Sequence, residues 1–395
     1  MIQGFARQDG RKGIRNRVLV AYLVECAHHV ARAVSTPFEE DGAQLIGFPG
    51  CYPNAYAQRM MEALCTHPNV GAVLVVSLGC EQFNRPRLVE AVRASGRPCE
   101  LLVIQKEGGT RATIEAGRAW VGRAIEEIGS VPRVPFDIAD LVVATECGGS
   151  DATSGLTANP AIGIACDHVV DAGGTAIFEE LGELFGCEQH MAERALTPAL
   201  GEAIRTAMAK ATRHYAALDQ SSFGGGNITG GLSTIEEKSI GAYAKSGSRP
   251  IVGMLQPGTL PRRRGLHLMD MVPDETKWGF ANINDNATIV EQIACGAHVV
   301  LFSTGRGSVV GSAISPVIKI CANPETCRRL ADDMDVDAGR ILEGRATLPE
   351  VGQEIFDLIR RVAAGEATKS EALGHQEFIL GYKSFEPLGP ACLPV

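Results

Sequence analysis

Aromatic residues are scarce in this chain, at 5% of 395 positions. Stacking platforms for single-stranded nucleic acid are therefore not available in number. A net charge of -9 and a pI near 5.6 also argue against a nucleic acid partner. No apolar run reaches membrane-spanning length, so no membrane partner is expected. The start, Met1-Ile2-Gln3-Gly4-Phe5, leads straight into charged residues without an apolar targeting segment. The twelve cysteines are scattered singly and do not form the spacings of a disulfide framework. Together these features predict a reducing, cytoplasmic setting in which thiols bind metal, react, or simply pack. Cys65, Cys99, Cys166, Cys295 and Cys321 sit in apolar or helical surroundings and read as packing. Repeats and low-complexity tracts are absent.

What the chain has in abundance is glycine, 45 residues, mostly at the ends of apolar runs. With 45% hydrophobic and 21% charged residues, this is the composition of a globular α/β protein. Its length suggests two domains. We expect a Rossmann-like parallel-sheet domain over residues 1–130. A second, larger α/β domain over residues 131–395 follows, with the Pro-broken stretch Val131 to Phe136 as the hinge.

The most informative stretch is Glu146-Cys147-Gly148-Gly149-Ser150-Asp151 through Asn159-Pro160. It follows the apolar run Leu141-Val142-Val143-Ala144, which reads as a buried strand. Gly148 and Gly149 let the backbone turn and a ligand approach. Ser150, Asp151, Thr153 and Ser154 supply donors and acceptors. Two other strands end alike. Val73 to Leu78 runs into Gly79-Cys80-Glu81, and Leu45 to Phe48 runs into Pro49-Gly50-Cys51. Three strand tips that each deliver a thiol suggest that Cys51, Cys80 and Cys147 converge.

Elsewhere the first 128 residues alternate strand and helix, which implies a parallel sheet with right-handed crossovers and ligands at the carboxyl ends of its strands. Gly10-Arg11-Lys12-Gly13-Ile14-Arg15-Asn16-Arg17 precedes the first strand and is either a solvated lead-in or an anion clamp. Glu25-Cys26-Ala27-His28-His29 closes that strand and opens a helix. The strand Cys99 to Ile104 ends in Gln105-Lys106-Glu107-Gly108-Gly109-Thr110, followed by a helix to about Ile128. This is an anion-binding arrangement, because the first helical N–H groups are free. It is not a nucleotide fingerprint, since neither GxGxxG nor GxxxxGK[ST] occurs in this segment.

In the second half, Ala161 to Ala172 reads as a helix and Gly174 to Glu180 as a strand ending in carboxylates. A helix is expected from about Pro198 to Leu218. Gly224-Gly225-Gly226 reads as a ligand loop before a helix capped by Ser233 or Thr234 with Glu236 or Glu237. Ala297 to Thr304 is a buried strand whose tip, Gly305-Arg306-Gly307, holds a cation for substrate. Asn282 to Asn286 reads as a polar turn, Arg262-Arg263-Arg264 as a solvated loop, and Leu373 to Val395 as a tail that docks on the body.

Several of these segments resemble the altronate/galactarate dehydratase family. They are Asp9 to Asn16, Gly79-Cys80-Glu81, Cys147 to Asp151, Thr157-Ala158-Asn159-Pro160, Gly230-Gly231-Leu232 with Glu237-Lys238-Ser239, and Thr304 to Gly307. The resemblance runs in the same order over nearly the whole chain. Within the family, Val20 to Ala31 and Gly47 to Asn54 look like the sulfo-lyase branch. The segment Phe48-Pro49-Gly50-Cys51-Tyr52 departs from the His-Gly-Ser-Gly-Cys-Gly type of the sugar-acid dehydratases but keeps the cysteine.

The resemblance implies an iron-dependent lyase, with Fe2+ or an iron–sulfur cluster as cofactor. It implies elimination of sulfite from the anionic 2-hydroxy acid (2R)-3-sulfolactate to give pyruvate, or of water from a sugar acid. Because the chain starts at the Asp9 motif, it also implies a separate small alpha subunit of β-clip type and an oligomer. Iron ligands are then Cys51, Cys80 and Cys147, with Glu81 or Asp151 assisting; zinc is the alternative metal. His28, His29, Lys106 and Lys238 are candidates for the base that takes the C2 proton. Arg15, Asn16, Gly108, Gly109, Thr110, Ser150, Asp151, Asn159 and Arg306 are candidates for holding substrate, the arginines for its anionic ends. A non-catalytic iron-storage or sensor role is a third reading, which the many polar groups at the strand tips speak against.

Overall fold

The computed structural model describes residues 2–217, 222–273 and 284–383. The chain is α/β and falls into two compact units. The N-terminal unit is built from Gln3–Pro135 with short later segments, and the C-terminal unit from Phe136–Val272 with Ile283–His375.

The N-terminal unit carries strands β1 (Ile2–Ala6), β2 (Lys12–Gly13), β3 (Arg17–Tyr22), β4 (Ala43–Gly47), β5 (Val70–Ser77), β6 (Cys99–Val103) and β7 (Arg133–Phe136). Its helices are α1 (His28–Ser35), α2 (Ala55–Cys65), α3 (Arg85–Ala94) and α4 (Thr110–Gly129). Strands β4-β3-β5-β6 form one parallel sheet in that order. Val18 and Val20 of β3 and Ala72, Leu74 and Val76 of β5 alternate onto one face, where they bury against Val30, Ala31 and Val34 of α1 and Val121 of α4. Gly117 lets α1 and α4 approach, since a Cβ there would lie 2.7 Å from Val34. Asn54 caps α2 by accepting from the Ala57 N–H at 2.8 Å.

The stretch read as a hinge turns out to be partly strand. β7 lies beside β1 at the edge of a three-stranded sheet ordered β2-β1-β7. A residue before proline favours extended backbone, and an edge strand tolerates the missing N–H, so Pro132 and Pro135 suit this role.

The C-terminal unit carries β8 (Val142–Cys147), β9 (Thr175–Phe178), β10 (Ile251–Leu255), β11 (Gly265–Met269), β12 (Val299–Thr304), β13 (Val317–Cys321) and β14 (Val336–Asp337). Its helices are α5 (Ala158–Asp171), α6 (Glu188–Glu193), α7 (Pro198–Ala217), α8 (Gly225–Thr229), α9 (Ile235–Ala244), α10 (Asp285–Ala294), α11 (Pro324–Arg329), α12 (Leu348–Ala363) and α13 (Lys369–Ala372). All seven strands are parallel, ordered β10-β11-β9-β8-β12-β13-β14. From β8 the chain moves to β9 on one side, and later to β12 on the other. The sheet therefore has its topological switch point between β8 and β12, where open parallel sheets bind ligands.

Gly224-Gly225-Gly226, read as a loop, opens the short helix α8. Thr234 caps α9, and the Glu237 carboxylate turns back onto the Ser233 N–H at 2.8 Å. Asn284 caps α10. Asn282, Ile283 and Leu218 lie outside the described residues, as does the tail beyond Lys383. Among the described residues no helix is long and apolar enough to cross a membrane.

Candidate active site at the switch point of the larger sheet

β8 and β12 are neighbours, and their tips are stitched together. Gly148 N–H donates to the Ser303 carbonyl at 3.1 Å, and the Gly305 and Arg306 N–H groups donate to the Gly149 carbonyl at 3.2 and 3.0 Å. Two glycines make room for acids here. A Cβ on Gly305 would lie 2.1 Å from the Asp151 carboxylate, and one on Gly148 2.0 Å from Asp285 Oδ2.

Cys147 ends β8 and is 3% exposed. Its sulfur lies 3.0 Å from Glu180 Oε1, 3.3 Å from Glu183 Oε2 and 3.4 Å from Ser150 Oγ. Glu180 follows β9 and has a φ of 76°, the one non-glycine residue with positive φ among those described. Backbone strain of about 1–2 kcal/mol is the usual cost of that conformation, and it aims this carboxylate at the Cys147 N–H and sulfur. The other Glu180 oxygen meets the ammonium of Lys245, which is 2% exposed. Lys238, on α9, pairs with Glu183 at 2.6 Å and donates to the Ser222 carbonyl.

Behind this layer lies a second acidic group. Glu146, Glu179 and Glu180 each offer an oxygen within 4.8 Å of the others, all buried. Gln292 donates to Glu146 at 3.2 Å. Among the described residues, neither Glu179 oxygen meets an N–H or O–H donor. Its carboxyl faces that of Glu146, so a proton or a cation between the two must relieve their repulsion. Burial pushes Glu179 up to about 8, and burial with the Glu179 charge raises Glu146. Asp285 is raised by burial and by Glu183. Burial and Glu183 push the Cys147 thiol up to about 11. Burial opposes the charge of Lys238, but Glu183 and Cys147 outweigh it and the net shift is upward. Buried carboxylates thus outnumber the ammonium groups among them. Cys147, Glu180 and Glu183 form a sulfur-and-oxygen donor set of the kind that fits a divalent transition metal.

A cavity of about 210 Å³ opens onto this cluster, lined by Cys147, Ser150, Asp151, Asn159, Glu183 and Lys238, with apolar cover from Leu156, Leu232 and Ile240. Ser150 approaches the Cys147 sulfur. Asp151 accepts from the Thr153 N–H at 2.9 Å and from Asn323 Nδ2 at 3.1 Å. Asn159 bridges the Ser303 hydroxyl at 2.6 Å and the Gly241 carbonyl at 3.0 Å, so its amide ties helix to sheet. Arg306 is exposed and donates to the Gly226 carbonyl at 3.1 Å.

The remaining expected site residues belong to the N-terminal unit. Cys51 and Cys80 are exposed thiols on the loops after β4 and β5, which meet where Gln82 N–H donates to the Cys51 carbonyl at 2.9 Å. Glu81 is buried, and its carboxylate accepts from the Ser77 hydroxyl and from the Gly79 N–H at 2.8 Å. No residue of this group belongs to a metal-type ligand cluster among the described residues. Asn16 accepts from Arg7 at 3.0 Å and donates to the Ile128 carbonyl at 2.9 Å, tying the lead-in loop to the end of α4. Arg15 donates to the Ile14 carbonyl at 3.1 Å. Lys106, Gly108 and Thr110 are exposed at the start of α4, and Gly108 and Gly109 both take positive φ. His28 pairs with Glu25 at 3.0 Å and borders a separate cavity with Tyr22 and Arg32, while His29 is exposed.

Sequence reasoning passed over Glu183 and Lys245, named Glu146 only as the start of the central stretch and Asp285 only within a polar turn, and noted Glu179 and Glu180 only as the end of a strand. The signal was present in that ending, and in a glutamate set beside Cys147 in an otherwise apolar strand.

Comparison with known proteins bears on the same segments. Residues 4–129 match the model for the D-galactarate dehydratase/altronate hydrolase second domain, and residues 138–385 that for the D-galactarate/altronate dehydratase C-terminal region. The chain is 34% identical over 390 residues to the (2R)-sulfolactate sulfo-lyase subunit beta of Chromohalobacter salexigens, covering 95% of this chain and 96% of that one. It is 30% identical to the altronate dehydratase of Escherichia coli, over 96% of this chain and 77% of the relative. Against that organism's galactarate dehydratase (L-threo-forming) the identity is 31%, over 92% and 73%. The strand-tip motifs, the switch-point cluster and these matches lead to one conclusion: the chain belongs to the D-galactarate/altronate dehydratase family.

Proposed function

We propose that this chain is the large subunit of a carbon–sulfur lyase. It would remove sulfite from (2R)-3-sulfolactate and release pyruvate. The observation that carries this reading is the 34% identity with a sulfo-lyase subunit over nearly all of both chains. The cavity supports it: at about 210 Å³ it is smaller than the roughly 300–1,000 Å³ of sites for drug-sized ligands, as suits a three-carbon acid. The relative is named a beta subunit, and by the same analogy this chain would work with a small alpha subunit.

Iron is the proposed metal, held by Cys147, Glu180 and Glu183. When bound it would act as a Lewis acid on the substrate's carboxylate and hydroxyl oxygens. The protein's residues do the rest. Lys238, fixed by Glu183, places a positive charge on the cavity wall, where charge develops as the C2 proton leaves. Ser150 and Asp151 orient the hydroxyl. Arg306 stands at the strand tip as a planar donor for the sulfonate. Leu232 is buried in the cavity wall, and Leu156 and Ile240 form an exposed apolar rim at its mouth that a bound partner or substrate would cover. The reaction balances without an added reactant. The C2 proton and the C3–S bond are lost, the enol formed takes a proton at C3, and one bisulfite leaves for each pyruvate.

A second reading, elimination of water from a sugar acid, is favoured by the 30% and 31% identities to the two dehydratases. Assaying sulfite and 2-keto acid release across sulfolactate, altronate and galactarate, with iron and with the small subunit present, separates the two. Sulfite and pyruvate in equal amounts are expected. A 2-keto-3-deoxy acid from a sugar acid, without sulfite release from sulfolactate, would overturn the proposal in favour of the second reading.

A further inference from the structure

Two cysteines that the mechanism does not use stand next to the site. Cys321 ends β13 and is buried; Cys327 lies in α11 and is partly exposed. The turn between them folds both onto one carbonyl. The Cys321 thiol donates to the Asn323 carbonyl at 3.3 Å, and the Cys327 N–H donates to the same oxygen at 2.9 Å. The residue they straddle is tied to the cavity. Asn323 caps α11 through its side-chain oxygen and gives its amide N–H to Asp151 at 3.1 Å. Next to it, the Ala322 carbonyl accepts from Thr157 at 2.9 Å. α11 also supports the Arg306 loop, for a Cβ on Gly307 would lie 3.3 Å from Thr326 and 2.2 Å from Leu330.

We propose that Cys321 and Cys327 are a reversible dithiol–disulfide pair whose oxidation by a low-molecular-weight disulfide releases Asp151 and lowers the activity of the site. The Cys327 thiolate attacks the disulfide RSSR, forming a mixed disulfide and expelling one RS⁻. Cys321 then attacks the Cys327 sulfur, forms the internal disulfide, and gives its proton to the second departing thiolate. Two protein thiols are oxidised and one RSSR is reduced to two thiols. Cys327 suits the first role. It is the more exposed of the two, and the neighbouring Cys321 thiol holds it below the ordinary thiol range. Closing the bond removes the S–H donor from the Asn323 carbonyl and draws α11 toward β13. The cap that presents Asn323 to Asp151 then shifts. The sequence reads Cys321 as packing; its partner comes six positions later, across a turn.

The experiment treats the full chain, with its small subunit, with oxidised glutathione. The remaining thiols are then alkylated and the peptides mapped by mass spectrometry. A disulfide joining Cys321 to Cys327 is expected, reversed by dithiothreitol. Faster amide hydrogen exchange over residues 148–155 is expected with it. Sulfite release should fall roughly tenfold, the loss of one hydrogen bond to a charged group, and Cys327→Ser should escape the fall. The activity arm rests on the function proposed above; the mapping and exchange arms do not, so the two ideas fail separately. Modification confined to other cysteines such as Cys26, Cys51 and Cys80 would overturn the proposal. So would a Cys321–Cys327 disulfide that leaves exchange over residues 148–155 unchanged.

Discussion

The two parallel sheets of this protein are built on one plan and differ in what they bury. In both, the first strand of the run has neighbours on either side that are reached in opposite directions, which gives a switch point at β3/β5 in one and β8/β12 in the other. In both, strand tips carry cysteine. Around the first switch point the thiols of Cys26, Cys51 and Cys80 are exposed, and the buried Glu81 is fully occupied by the local hydroxyl and backbone. At the second, Cys147 is buried among Glu180, Glu183 and the Glu146–Glu179 pair, with too few local donors to satisfy them. Burying carboxylates without partners costs several kcal/mol each, so such an arrangement is retained where a cation or a reacting group completes it. The cysteine is common to both sheets; the surrounding acid marks the site.

The contrast can be broken most directly by metal content. If the proposed metal sits on Cys147, Glu180 and Glu183, Cys147→Ala should abolish its binding and lower activity by more than the roughly 10–100-fold that loss of an outer partner costs. Cys51→Ala and Cys80→Ala should keep the metal. Elemental analysis of the three purified anaerobically decides, and metal lost from the latter two but not the first would move the centre to the smaller sheet.

Stability separates the buried and exposed ion pairs. Lys245→Met leaves Glu180 charged and buried, which should cost about 3–5 kcal/mol in urea unfolding of the metal-free protein. The exposed Arg87–Glu62 pair of the other unit, cut by Arg87→Met, should cost under ~1 kcal/mol. Equal losses would mean that Lys245 is not compensating a buried charge.

Glycines extend the comparison. Gly305→Ala drives a methyl into Asp151 and should lose about 1–3 kcal/mol together with activity. Gly109→Ala, with φ of +90° and nothing within 4 Å, should cost only the backbone strain of about 1 kcal/mol and leave metal binding intact. Thermal melts paired with metal titrations read both effects.

The smallest effect concerns pH. Burial of His267 in β11 lowers its affinity for a proton. The unfolded chain takes a proton near the usual histidine value of about 6.5 while the folded chain resists it, so stability is lost as pH falls below that value. His267→Gln should flatten this acid limb in urea midpoints measured from pH 7.5 to 5. An unchanged slope would assign it to other groups.

Much of the fold was legible in the sequence because its signals are local. Apolar runs such as Val73 to Val76, short, rich in β-branched valine and closed by Gly79, read as buried strands. Thr234 with Glu237 is a cap whose two halves lie three residues apart. The prolines at 132 and 135 mark the stretch where the two units divide, and they leave open that it is also an edge strand. The Gly224 run misled because α8 needs no side chains to begin its turn.

By itself the sequence determined the α/β class, the parallel strands and the Cys147-Gly148-Gly149-Ser150-Asp151 tip as the centre of interest. Periodicity and glycine placement act over a few residues and need no partner to be read. Only the tertiary structure decided which groups surround that tip. Glu180, Glu183, Lys238 and Lys245 reach Cys147 from the turn after β9 and from α9 and its C-terminal end, across separations of 33 to 98 residues that no local pattern encodes. Strand order brings them together: β8 sits between β9 and β12, and the electrostatics of the site arise from that adjacency.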